Sequence, residues 1–159
     1  DPHIWLGIDQ AFVIAENVQE TLSTLDPVNS IIYKENLRQL TIEIQELKNE
    51  LETVLAPLKG ESMYVYHPSF GYFASQFGIH QEAVETGGKD PSPKSLERLI
   101  SKAREEHVRV IFVQPQFSPR SAEIIAKAID GAIIPLDPLD EHWLQNMKNI
   151  ALEIASALE

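Results

Sequence analysis

The chain has no cysteine among its 159 residues. That excludes a disulfide scaffold and any thiolate metal site, and it fits an exported protein as well as many cytosolic ones. Positive charge is scarce: 13 Lys and Arg stand against 24 Asp and Glu, a formal charge of -11. Such a balance repels phosphate backbones, so no nucleic-acid partner is expected, whereas capture of a cation is unopposed. Long apolar runs are also lacking. No stretch approaches the roughly 18 residues that a membrane-spanning helix needs. Nor is there a Gly-rich phosphate loop, an HExxH helix or a GxSxG elbow, which removes the usual sequence marks of nucleotide binding, zincin proteolysis and serine hydrolysis. What remains is a chain with 43% hydrophobic residues, enough for an ordinary core.

The patterning changes near Gly60. Before it the chain reads as helical. Phe12, Val13, Ala15, Val18 and Leu22 place one helix over residues 8–25, ended by Asp26-Pro27, with Pro27 suited to the first turn of the next. That second helix, at about 28–58, carries Leu37, Leu40, Ile44, Leu47, Leu51, Val54 and Leu58 at alternating spacings of three and four. Roughly 30 residues at 1.5 Å each reach about 45 Å, longer than a small domain is wide. On periodicity alone, a coiled-coil dimer explains this stripe as well as a backbone helix does.

After Gly60 strands and helices alternate: strands near 62–66, 81–85, 108–113 and 132–134, helices near 70–77, 95–106, 119–128 and 141–158. This rhythm predicts an α/β fold, a small, mostly parallel sheet with helices on both faces. Ligands of such sheets gather at the carboxyl ends of the strands. The expected division is therefore a helical segment over 1–59 and an α/β domain over 60–159.

Three residues stand in turn-like contexts from which a side chain can leave the core: His3 in Asp1-Pro2-His3-Ile4-Trp5, His67 in His67-Pro68-Ser69-Phe70, and Asp137 in Asp137-Pro138-Leu139. Two neutral imidazoles and a carboxylate suit zinc, or manganese if further oxygen ligands join. Each also has a plain structural reading. His3 can serve a helix entry, His67 can pack among Tyr64, Tyr66 and Tyr72, and Asp137 can cap a turn. Two His and one carboxylate with an open position also occur in mononuclear zinc hydrolases, and a helical structural adaptor would account for the heptads.

The surrounding text decides among these. Asp1-Pro2-His3-Ile4-Trp5, His67-Pro68-Ser69-Phe70-Gly71-Tyr72-Phe73 and Asp137-Pro138-Leu139 resemble the ligand segments of the solute-binding proteins of bacterial zinc and manganese ABC transporters, the metal-receptor cluster A-I. Gly88-Lys89-Asp90-Pro91-Ser92-Pro93-Lys94 and Phe112-Val113-Gln114-Pro115-Gln116-Phe117 are similar to further segments of that family. The resemblance implies a long backbone helix followed by a chelatase-like half of a two-domain receptor. It implies no enzyme, but capture of a divalent transition metal, zinc first and manganese second, for delivery to an ABC transporter membrane permease, in a periplasmic or extracellular setting. His3, His67 and Asp137 are the implied ligands. His67, standing where manganese-type relatives tend to have Glu, favours zinc.

The family also implies an N-terminal domain ahead of the Asp1-Pro2-His3 segment, supplying one more His. The chain opens without an initiator Met and is expected to be a fragment or processed product whose first helix, with apolar surface bared, supports a homodimer. His80, His107 and His142 are expected at the solvated surface. Asp140 departs from the Gly common at that position. Glu85, at a strand end, is a candidate partner for a ligand, and Gln114 and Gln116 are placed either to orient a ligand or to pack.

Overall fold

The computed structural model describes residues 1–85, 87–118 and 120–158. A short 3₁₀ turn, Ile4–Leu6, leads into helix α1, Ile8–Leu25. After a second 3₁₀ turn at Pro27–Asn29, helix α2 runs over Ser30–Leu55, 26 residues and about 39 Å long. Asp9 near the start of α1 bonds Lys48 in the later half of α2 at 2.8 Å, while Asp26 beside the turn accepts from Tyr33, so the two helices run antiparallel.

The later half of the stripe on α2 is used within the chain: Ile44, Leu47, Leu51 and Leu55 are buried against the rest of the molecule. The earlier positions Leu37 and Leu40 line an open groove against α1, with Leu40 exposed.

Four strands follow: β1 Ser62–Val65, β2 His80–Ala83, β3 Val110–Val113 and β4 Ala132–Pro135, with α3 Gly71–Phe77 between β1 and β2, α4 Pro93–Glu105 before β3, α5 Arg120–Ala128 before β4 and α6 Trp143–Leu158 last. The predicted start of α5, Pro119, lies outside the described residues. The sheet order is β2-β1-β3-β4 and every pairing is parallel. Period-two alternation sorts the core into two layers. Met63, Val65, Val110 and Phe112 join α2, α3 and α6 residues in one cluster, together with Leu6 and Ile8 from the chain's start. Tyr64, Tyr66, Ile111 and Val113 join Ala103 of α4 and Ala122, Ile125 and Ala126 of α5 in the other. The first cluster is shared between the helical segment and the sheet.

From β1 the chain crosses to β2 on one side, and from β3 it crosses to β4 on the other. The carboxyl ends of β1 and β3 thus flank the point where strand order reverses, where open parallel sheets make their binding crevice.

Candidate metal centre

His67 leaves the end of β1 at that crevice, and Gln114 leaves the end of β3 beside it. Gln114 is fully buried and its amide holds the His67 segment from two sides. Its Oε1 accepts the His67 N–H at 3.1 Å, while its Nε2 donates to the His67 carbonyl at 2.8 Å and to Ser69 Oγ at 3.0 Å. A turn closed by Ser69 N–H to the His67 carbonyl at 2.8 Å aims the imidazole out of the sheet. Phe117 then stacks on the ring, centroids 4.6 Å apart and planes at 21°.

His3 arrives from the other end of the chain. Its backbone N–H donates to Asp1 Oδ1 at 2.9 Å, a turn the Asp1-Pro2 pair favours. Its ring lies edge-on to Trp5 at 5.3 Å. Trp5 Nε1 donates to the Pro138 carbonyl at 2.8 Å, and Trp143 Nε1 donates to the Trp5 carbonyl at 2.7 Å. Two indoles thereby clasp the His3 turn to the Asp137-Pro138 turn and to the last helix.

The two imidazoles meet: His3 Nε2 and His67 Nε2 are 3.2 Å apart, rings edge to face. Two nitrogens on one tetrahedral zinc at 2.0–2.1 Å stand about 3.3 Å apart, so this separation suits a shared ion. Each ring's far nitrogen faces a carboxylate. His3 Nδ1 is 2.7 Å from Asp1 Oδ1, and His67 Nδ1 is 2.7 Å from Glu85 Oε1. Burial holds the His3 imidazole below its ordinary value of 6.5, with the neighbouring His67 ring pushing the same way.

Asp137 lies on the same rim, just past β4, yet its carboxylate is engaged elsewhere. Oδ1 accepts from Gln116 Nε2 at 2.7 Å and from the Leu139 N–H at 2.9 Å. Among the described residues, no three His, Cys, Asp or Glu side chains are grouped to hold an ion together. The fold brings His3 and His67 into contact and puts Asp137 one residue from the Trp5 clasp, with its oxygen turned to Gln116. That bond and the Phe117 stack make the loop after β3 the physical link between the two.

His80 opens β2 and is exposed, and His107, between α4 and β3, is exposed with φ 56. His142 is also exposed, and Asp140 accepts its N–H at 2.8 Å, an N-terminal contact ahead of α6. Glu85 lies two residues beyond β2 rather than at its end, and its Oε1 also accepts the Gly88 N–H at 3.3 Å. Two contributors escaped sequence reasoning. Asp1 was read only as a turn former, although a carboxylate two residues before an imidazole can return to its Nδ1. Nothing in the sequence context of Phe117 marks the ring it covers.

The doubly covered parallel sheet, the crevice at its reversal point and the facing imidazoles define an α/β domain with a paired-histidine centre. Residues 1–157 match the family described as zinc-uptake complex component A, periplasmic, and the chain belongs to that family. The high-affinity zinc uptake system protein ZnuA of Paracoccus denitrificans is 32% identical over 144 residues, covering 87% of this chain and 43% of the relative. The zinc-binding protein AdcA of Streptococcus pyogenes serotype M18 is 26% identical over 150 residues, covering 93% of this chain and 29% of the relative. Among solved structures, a crystal structure of ZnuA superposes with a TM-score of 0.97 at 37% identity, over 100% of this chain and 62% of that one. A zinc-bound deletion mutant of ZnuA superposes at 0.93 with 38% identity, over 99% of this chain and 60% of that one. The chain spans less than half the length of the curated relatives it matches and about three fifths of these two structures.

Proposed function

We infer that the chain is part of a zinc receptor of an ABC uptake system, which captures the ion outside the cytoplasmic membrane and hands it to a membrane permease. It performs carriage and no covalent chemistry. The observation that carries this reading is the 3.2 Å approach of His3 Nε2 and His67 Nε2, close to the nitrogen spacing of a tetrahedral zinc. The zinc names of the relatives support the same metal, and manganese is the alternative for a site that adds oxygen donors.

In this reading His3 and His67 are the nitrogen donors. Asp137 is the third ligand, joining them when its carboxylate exchanges Gln116 for the ion. The part of the relatives that this chain does not span brings the remaining ligand and covers the apolar groove between α1 and α2. That groove is about 530 Å³ and is lined by Ala15, Val18, Leu22, Leu37, Leu40 and neighbouring residues. The same bared face would pair two copies of the isolated chain. Residues 1–59 then act as the arm between two ligand-bearing domains, and 60–159 as the second of them. In this reading the receptor meets its bilayer through the permease; among the described residues no helix is long and apolar enough to cross a membrane.

Titration calorimetry of zinc and of manganese into the metal-free protein, repeated with His67→Ala, tests the proposal. A structural zinc site is worth about 10–16 kcal/mol. Loss of one of the chain's own donors is therefore expected to weaken zinc binding by roughly 100-fold or more. Tighter binding of manganese than zinc would transfer the assignment to the alternative metal. Equal zinc affinity in His67→Ala and the parent would refute the site.

A further inference from the structure

Each of the two facing imidazoles is gripped from behind by a carboxylate. Asp1 Oδ1 lies 2.7 Å from His3 Nδ1, and Glu85 Oε1 lies 2.7 Å from His67 Nδ1. An ionised carboxylate is acceptor only, so a neutral ring facing one carries its proton on Nδ1 and keeps the Nε2 lone pair. The geometry points to Asp1 and Glu85 as a matched pair of positioning residues that lock both rings in the Nδ1–H tautomer and aim two Nε2 lone pairs at one ion. The inference rests on the reading of His3 and His67 as the nitrogen donors.

Three observations carry it beyond a pair of chance contacts. Glu85 is only 4% exposed, an unusual place for a carboxylate, and its bonding oxygen takes the His67 Nδ1 and the Gly88 N–H. A buried acid that, among the described residues, makes no ion pair with Lys or Arg is stabilised by such donors. Asp1 Oδ2 lies over Gly71, where a Cβ would push against it, so the glycine in the first turn of α3 leaves the carboxylate its space. The two Nε2 atoms also converge at 3.2 Å, a separation that suits two nitrogens on one tetrahedral ion. Partners behind ligating histidines fix tautomer and ring orientation, and their loss typically costs 10–100-fold in metal affinity.

Ring tautomers are read by nitrogen-15 NMR of the metal-free full chain, and affinity by competition of zinc alone with a chromogenic chelator. The parent is expected to show the Nδ1–H tautomer at both rings. Glu85→Leu should shift His67 to a mixture, and Asp1→Ala should do so for His3, each weakening zinc by roughly 10–100-fold. Glu85→Gln retains an acceptor oxygen and should keep the tautomer, with a loss below about tenfold. Nε2–H tautomers in the parent, or unaltered tautomers and affinity in both Asp1→Ala and Glu85→Leu, would overturn the inference. If Glu85→Leu does not fold, Asp1→Ala, which alters a partly exposed side chain, decides it. Because the tautomers are measured without metal, they judge the carboxylates separately from the donors. Loss of zinc in His67→Ala, with no effect of either carboxylate, sinks this inference and leaves the proposed function standing.

Discussion

Replacing Gln114 with Leu is the sharpest test of how the fold holds the site. Gln114 has no exposed surface and spends its whole amide on the His67 turn, through the His67 N–H, the His67 carbonyl and Ser69 Oγ. Leu has a similar volume and leaves the packing nearly intact, so what changes is the hydrogen bonding. The His67 carbonyl keeps the Ser69 N–H as a donor, whereas the His67 N–H and the buried Ser69 hydroxyl lose these partners. Each orphaned buried group costs about 1–3 kcal/mol, and the better burial of an apolar side chain returns part of it, for a net loss of about 2–4 kcal/mol. In a chain of this size 1 kcal/mol moves Tm by about 2–4 °C, so a fall of about 5–15 °C is expected in thermal unfolding. Zinc affinity should fall with it, since the backbone that aims His67 loses its brace. Gln114→Glu, with the same shape but no amide donor, should cost at least as much as Leu, because it turns a buried carboxylate towards the His67 carbonyl. A Leu variant within about 0.5 kcal/mol of the parent in urea unfolding, with unaltered zinc affinity, would refute the reasoning.

Trp5→Phe removes the bond to the Pro138 carbonyl, which should cost about 1 kcal/mol and speed hydrogen exchange of the Leu139 amide about fivefold; unchanged exchange there would show that the clasp does not steady the Asp137 turn. Acidification should act on the metal-free chain through His3, which burial and His67 hold below 6.5. The folded state then binds fewer protons than the unfolded one, so this contribution to stability is present above pH 6.5 and lost as pH falls towards the lowered value. Urea unfolding across that window should show a shallower pH slope in His3→Gln than in the parent, and an equal or steeper slope would contradict the assignment. Zinc affinity should decline over the same window, as protons displace the ion from the imidazoles.

Periodicity and punctuation determine much of this protein without reference to its fold. The 8–25 helix, the long helix broken off by Pro27, the four short strands and their alternation with helices follow from spacing and turn residues. Those are local properties of the chain, so they survive being read in one dimension. The segments around His3, His67 and Asp137 were likewise legible, since their turns are written in adjacent residues. Only the tertiary structure decides what these residues meet. The β2-β1-β3-β4 order puts His67 beside Gln114, and the Trp5 and Trp143 bonds bring residue 3 to residue 138. Glu85 behind one ring, Phe117 over it and the turn of Asp137 towards Gln116 are contacts between elements distant in sequence. Their geometry is set by how the sheet and helices pack, and no local pattern of residues encodes it.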